Sequence, residues 1–283
     1  MNSNKKEAQK MNLSALTELN NTKIGIVGCG HLGQAIATSL LMHGFNKNNI
    51  YVSYHGNPAT YKQLVKKGLA NCILDNKRLF SEADFVFITV RPQDVIDLSK
   101  LTVPKKVKII SCVAGLSTGT LKKIFNRTIM RMMVSGPDTI VKGKGIAMLY
   151  PNDHLAEQIL TGMIGLRLFK VTHESDLNAF TAGVCLPGLL LTYTDEKEIQ
   201  YAITKLTQQY PWFRDVYLWS KTVLPVFSSA SEKQEYLLKM ATKGGVTEAI
   251  VNSLQAGAPL FTALNKGITR SQQLAEEVAE SLR

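Results

Sequence analysis

The stretch from Lys23 to Ala37 constrains this chain more than any other. A short apolar run leads into Gly28-x-Gly30-x-x-Gly33 and then into a helical pattern. The first glycine permits a tight turn, the second lets the backbone approach a pyrophosphate, and the third lets the following helix pack on the strand. The N–H groups that open the helix, aided by its dipole, would hold phosphate charge. The alternative reading of the same residues is a plain strand–turn–helix with no ligand.

The chain continues as alternating strands and helices. Apolar runs predict strands at 50–54, 84–90, 107–113, 128–133, 143–149 and 166–171. Helical patterns fill 58–67, stopped by Gly68, as well as the start of 92–98 and 121–125. Near-continuous apolar strands separated by short helices imply an α/β fold, a doubly wound parallel sheet covered on both faces. Past residue 172 the strand signals fade, and helical periodicity takes over at 196–209, 231–240, 247–256 and 271–282. The expected division is a flexible polar extension over 1–22, a dinucleotide-binding domain over 23–171 and a helical domain over 172–283.

Composition narrows the function classes. The net charge is +11 over 283 residues, but lysines and arginines are scattered, no basic run exceeds two or three residues and no aromatic-interleaved basic motif stands out. A solvated basic surface fits that pattern better than a nucleic-acid face. The longest apolar run, near 182–191, is broken by Pro187 and Gly188 and is too short to span a bilayer. The N-terminal residues carry no apolar signal core. Cys29, Cys72, Cys112 and Cys185 form no CxxC and no Cys/His ligand pattern, so no metal site is expected. Cys29, Cys72 and Cys112 read as buried thiols, and the usage fits a reducing, cytoplasmic setting.

The end of the second strand bears on cofactor choice. Folds of this kind that take NAD place an acid there for the ribose 2′-hydroxyl. Here the residues are Ser53-Tyr-His-Gly-Asn-Pro58, without an acid. That favours NADP, with NAD as the alternative, since no arginine stands in the loop to hold a 2′-phosphate. His55 and Asn57 either contact the ribose end or simply make the turn.

Five further segments occur in an order that resembles one family. Asp75-Asn76 followed by Ala83-Asp-Phe-Val-Phe-Ile-Thr-Val-Arg-Pro-Gln93 is similar to D-N and A-D-V-V-(I/F)-L-A-V-K-P-Q. Ser111-Cys-Val-Ala-Gly-Leu116 resembles S-x-A-A-G-V, and Arg131-Met-Met-Val-Ser-Gly-Pro137 stands where R-x-M-P-N-T-P would. Ala241-Thr-Lys-Gly-Gly-Val-Thr247 resembles (V/S)-(T/S)-P-G-G-(A/T)-T, and Thr269-Arg-Ser-Gln-Gln-Leu274 resembles T-x-R-S-x-E-L. These are motifs of the pyrroline-5-carboxylate reductases. The resemblance runs from Lys23 to about Leu274 and identifies the chain as a divergent member.

The resemblance implies a Rossmann domain followed by an all-helical domain that interlocks into homodimers or higher homo-oligomers. It implies hydride transfer from NAD(P)H to the C=N bond of a cyclic imine acid, as in proline biosynthesis, or of a related imine. Gly28, Cys29, Gly30, His31, Leu32 and Gly33 would hold the pyrophosphate. Asn76, Val90, Arg91, Pro92, Ala114 and Ser135 match positions that contact the cofactor. Gly244, Gly245, Val246, Thr247, Thr242 and Glu174 match the substrate side, with Thr247 near the imine nitrogen as proton relay or orienting group. Thr242 and Thr247 also read simply as helix caps, and Glu174 as a surface acid.

Departures from the pattern gather around substrate. Asparagine has become Ser135, and S-G-S-G-P-A has become Gly183-Val-Cys-Leu-Pro-Gly188. Val184 and Leu186 would crowd a helix contact or fill the substrate pocket. Two other readings therefore stand beside the enzyme: a catalytically weak nucleotide-binding paralogue with a regulatory or interaction role, and a reductase of an unrelated carbonyl or deazaflavin substrate.

Overall fold

Strand β1 (Ile24–Val27) is buried along its whole length, which is why no polar residue interrupts it. The computed structural model describes residues 19–240 and 243–281. Thr242 and most of the expected N-terminal extension lie outside them. Leu19, near the end of that extension, is buried in the core.

From β1 the chain turns into helix α1 (His31–Met42) and reaches β2 (Ile50–Val52) on one side. It then passes through α2 (Pro58–Lys66) and α3 (Asn76–Glu82) to β3 (Phe85–Ile88) on the other side of β1. Helix α4 (Val95–Leu98), β4 (Lys108–Ser111), α5 (Thr118–Phe125) and β5 (Met130–Val134) extend the sheet. Helix α6 (Pro137–Val141), β6 (Ile146–Tyr150), α7 (His154–Gln158) and β7 (Arg167–Phe169) complete it. The strand order is β2-β1-β3-β4-β5-β6-β7.

The sheet differs from expectation at one edge. Strands β1 to β5 are parallel, but β6 runs antiparallel to β5, and β7 is parallel to β6. The physical reason is the link. A parallel crossover needs a dozen or more residues and usually a full helix, whereas β5 and β6 are joined through the single short helix α6.

The remaining chain is helical: α8 (Asp176–Gly183), α9 (Leu186–Leu189), α10 (Glu196–Gln209), α11 (Phe213–Thr222), α12 (Ala230–Met240), α13 (Val246–Gln255) and α14 (Leu260–Ser281). These helices share a core with the sheet's outer edge. Met133, Ile146, Met148 and Phe169 pack with Leu177, Phe180, Phe213 and Trp219. Among the described residues, no helix is long and apolar enough to cross a membrane.

Candidate functional site

The topology sets the location. Because β1 to β5 are parallel, their carboxyl ends lie along one edge of the sheet. The chain leaves β1 first to β2 and later to β3 on the opposite side, so a crevice opens at that edge between the outgoing connections. Gly28–Gly33, Ser53–Asn57, Thr89–Pro92, Cys112–Gly115 and Ser135–Pro137 all follow strands at this edge.

Each glycine of the loop meets a different demand. Gly28 has φ +83°, and a Cβ there would run into Val90 Cγ1. A Cβ on Gly33 would lie 2.9 Å from Thr89 Oγ1 and 3.0 Å from Ile26 Cγ2, so this glycine lets α1 sit close on β1 and β3. Gly30 is the opposite case. Its nearest neighbour would be Gly28 O at 3.9 Å, which leaves its outer face open. Gly30 also forms the N-cap of α1 and supplies no side-chain cap. The N–H groups of the first helical turn therefore point outward without an intrahelical acceptor. That is the cradle a dinucleotide pyrophosphate fits.

Neighbouring residues brace this loop. Thr89 Oγ1 donates to Gly28 O at 2.9 Å and lies 3.1 Å from Val27 O. Cys29 is turned inward: its N–H donates to Ser53 O at 2.6 Å, and burial pushes its thiol up to about 12. No thiolate charge therefore opposes an anion at the loop. His31 is exposed, while Leu32 packs partly against the core. Asn76 opens α3 and accepts from Ser53 Oγ at 2.5 Å, so the Asp75-Asn76 motif meets the end of β2. Asn57 caps α2, its Oδ1 accepting from Ala59 N at 2.9 Å and Thr60 N at 3.2 Å. Of the two readings of Asn57, the turn-making role is the one these bonds display.

Arg91 stands at the end of β3 in solvent, its Nε 3.1 Å from Asp94 Oδ2, with Pro92 starting the next turn. Ala114 is exposed on the turn after β4. The following residue, Gly115, has φ +75°, and a Cβ there would lie 2.9 Å from Leu274 O. Helix α14 thus rests on the turn that carries Ala114.

The same helix holds the glycine pair of the helical region. Arg270 Nε donates to Gly244 O at 2.8 Å, one helical turn before Leu274. Gly244 has φ +72°, and Gly245 is the N-cap of α13 without a side-chain cap. Val246 is buried. Thr247 is half-buried, with Oγ1 3.3 Å from Cys185 Sγ, and Cys185 lies beside Val184. Burial pushes the Cys185 thiol up to about 11, so it faces Thr247 as a neutral group.

A cleft of about 1030 Å³ runs between the Gly30 loop and the helical region, and the Gly244–Thr247 segment does not line it. Gly30, His31 and Asn57 line one end, and Val184, Pro187 and Tyr236 line the other. The substituted 183–188 segment therefore divides. Val184 stands on the cleft wall, whereas Leu186 is fully buried and fills core. Val90, Arg91 and Ala114 are not on this cleft but further along the carboxyl edge.

Two residues predicted to touch ligands face the protein instead. Ser135 is 1% exposed. Its Oγ accepts from Ile146 N at 3.0 Å and lies 2.6 Å from Thr139 Oγ1. The hydroxyl fastens the β5–β6 corner and has no free face for a cofactor. Glu174 is similarly engaged. Its Oε1 accepts from Thr118 N at 2.7 Å and from Arg131 Nη1 at 2.8 Å, and its Oε2 from Thr118 Oγ1 at 2.5 Å. Burial pushes this carboxyl up, but the Thr118 and Arg131 bonds outweigh it and hold the group below the usual carboxylate range. Glu174 is a tie between α5, β5 and the helices, so a substrate role would require breaking that tie.

Sequence reasoning passed over Thr89, Glu248 and Arg270. Thr89 had one legible signal, a polar residue at the carboxyl end of a wholly apolar strand. Arg270 and Glu248 show their partnership only after α13 and α14 pack together.

A family model described as "NADP oxidoreductase coenzyme F420-dependent" matches residues 23–115, from β1 to the turn after β4. The chain is 25% identical to a pyrroline-5-carboxylate reductase of Corynebacterium melassecola over 57% of its own length and 63% of that protein, under two thirds of it. It is 24% identical to pyrroline-5-carboxylate reductase 2 of Bacillus subtilis over 91% of this chain and 96% of that protein. The fold resembles a pyrroline-5-carboxylate reductase from Coxiella burnetii, with TM-score 0.57 and 19% identity over 91% of this chain and 98% of that one. It also resembles Plasmodium falciparum pyrroline carboxylate reductase with NADP bound, with TM-score 0.55 and 17% identity over 90% of this chain and 99% of that one.

Proposed function

From the premise that the chain is a divergent member of the pyrroline-5-carboxylate reductase family, we propose that it is an NAD(P)H-dependent reductase of the C=N bond of a cyclic imine, an imine acid or a related compound. One observation carries this reading. The N-terminus of α1 opens with a glycine N-cap directly after β1, and α14, which packs on the turn after β4, holds the glycine-opened start of α13 through Arg270.

The residues divide the work as follows. N–H groups at His31, Leu32 and Gly33 bind the pyrophosphate, and Gly30, whose own N–H donates to Gly28 O, leaves room for its approach. Asn76 and Ser53 stand at the ribose end. Val90, Arg91, Pro92 and Ala114 line the path to the nicotinamide, with Arg91 leaving Asp94 to meet a phosphate. The bound dihydronicotinamide supplies the hydride. Gly245, Val246 and Thr247 hold the imine, and the Thr247 hydroxyl orients or protonates its nitrogen. The absence of an acid at Ser53–Pro58 favours NADPH over NADH. The helical region supports homodimer or higher homo-oligomer formation, and the four free cysteines fit a reducing cytoplasm.

The second reading is a weak paralogue that binds nucleotide without efficient turnover. The inward-facing Ser135 and the tied Glu174 favour it. One assay separates the two. Purified protein is mixed with NADPH and pyrroline-5-carboxylate, and cofactor absorbance is followed. The reductase reading expects turnover that falls about a hundredfold in Thr247→Ala with unchanged NADPH affinity. Cofactor binding without turnover in the parent protein would leave only the paralogue.

A further inference from the structure

The direction of the Thr247 hydroxyl is set by a buried thiol. Cys185 Sγ lies 3.3 Å from Thr181 O and 3.3 Å from Thr247 Oγ1. A thiol carries one hydrogen, and a carbonyl can only accept. The Cys185 S–H therefore donates to Thr181 O, and the sulfur accepts from the Thr247 O–H. Burial pushes this thiol up to about 11, so its hydrogen stays in place at neutral pH. Cys185 is buried, and Thr247 is half-buried beside it. With its hydrogen committed to sulfur, the Thr247 oxygen presents lone pairs on its open side.

On the reading that Thr247 meets the imine nitrogen, we propose that Cys185 is a positioning residue that makes Thr247 a hydrogen-bond acceptor, so that the site takes the cyclic imine in its protonated, N–H-bearing form. An iminium N–H donates to the Thr247 oxygen. A neutral imine nitrogen offers only a lone pair, which would face the lone pairs of Thr247. Reduction of an imine that already carries its proton asks none of Thr247. The hydride from the dihydronicotinamide goes to carbon, the C=N pair goes to nitrogen, and a secondary amine and the oxidised cofactor remain. The amine keeps its N–H on the same oxygen. This restricts the nitrogen alone and sets no condition on a ring carboxylate. The substituted 183–188 segment thus has three separate roles: Val184 stands on the cleft wall, Leu186 fills core, and Cys185 turns the hydroxyl.

The test uses the full chain with NADP bound: the parent protein, Cys185→Ala, Cys185→Ser and Thr247→Val. Calorimetry measures binding of L-proline, whose ring nitrogen donates, and of tetrahydrofuran-2-carboxylate, whose ring oxygen only accepts. Alanine removes the acceptor for the Thr247 O–H, which then turns to the ring oxygen. Serine restores a hydroxyl that donates to Thr181 O and accepts from Thr247. The expected preference for L-proline is about tenfold or more in the parent and in Cys185→Ser, and it shrinks about fivefold or more in Cys185→Ala. Thr247→Val, which leaves Cys185 in place, should weaken L-proline about tenfold and spare the ether ring. If Cys185 contributed packing alone, both rings would weaken by one factor in the alanine variant. A preference unmoved in Cys185→Ala, weakening of the ether ring in Thr247→Val, or no binding of either ring to the parent would overturn the proposal. Consumption of NADPH with pyrroline-5-carboxylate is scored separately. Absence of turnover with the expected ring preferences would sink the reductase reading and leave the role of Cys185 standing.

Discussion

At the scale of single residues, the three loop glycines are needed for three separable reasons, and substitution tells them apart. Gly28 combines φ +83° with a collision between any Cβ and Val90. Gly28→Ala is expected to destabilise the fold by about 2 kcal/mol, since strained backbone and crowding both act. Gly30 has open space, so Gly30→Glu should leave stability within about 0.5 kcal/mol. Its carboxylate would nonetheless face the pyrophosphate, and NADPH affinity should drop about a hundredfold or more. Urea unfolding and a fluorescence titration of NADPH measure the two quantities. Comparable stability losses with unchanged NADPH affinity in the Gly30 variant would remove the assigned phosphate site. Residue type was legible here because each glycine answers a local steric demand. The direction of a side chain was not. Ser135 and Glu174 carry the groups a ligand site wants, yet their partners at Ile146, Thr118 and Arg131 come from distant segments.

At the scale of elements, punctuation by glycine, proline and asparagine was the readable signal. Helix α2 begins at Pro58 and is followed by Gly68 at φ +71°, close to the expected 58–67. The direction of β6 was not readable, because an apolar strand looks alike in either orientation and only the short link through α6 decides it. Helix α14 begins at Leu260, well before the expected 271, since Gly267 reads locally as a break. In the packed structure that glycine lets α14 approach Ile250 on α13, where a Cβ would collide. Helix α11 was passed over although its buried Phe213, Val216, Tyr217 and Ser220 follow the i, i+3, i+4, i+7 spacing of a helix face. The Asn57 cap gives a prediction on this scale. Asn57→Ala removes the acceptor for Ala59 N and Thr60 N and should cost about 1 kcal/mol in chemical unfolding. NADPH affinity measured alongside decides whether Asn57 serves the ribose as well. A variant as stable as the parent would show that the exposed start of α2 does not depend on this cap.

At the scale of the whole molecule, the sheet and the helices are fastened through a charge as well as through shared core. Arg131 on β5 is 4% exposed, and Glu174, on the link from β7 to α8, is its carboxylate partner. The same carboxylate accepts from Thr118 at the start of α5, so one side chain ties three segments. Arg131 Nε has no hydrogen-bond partner among the described residues, which makes its charge the more dependent on Glu174. Removing one partner of a buried pair leaves an uncompensated charge, and Glu174→Gln should cost about 3 kcal/mol at neutral pH. The pH dependence follows from the direction of the shift. Burial opposes ionisation of Glu174, but the Thr118 and Arg131 bonds prevail and its folded pKa lies below the ordinary value. A depressed carboxyl stabilises fully above its unfolded pKa, so the contribution is complete above about pH 5 and is lost as pH falls through the folded value. Asp153, held low by Lys108 and the Ala156 N–H against the effect of burial, acts in the same sense. Unfolding free energies of the parent protein and Glu174→Gln, measured by urea between about pH 7 and pH 3, should therefore converge toward the acid end. Two curves that stay parallel at a constant offset would show that the ion pair contributes packing alone and that its charge does not join the sheet to the helices.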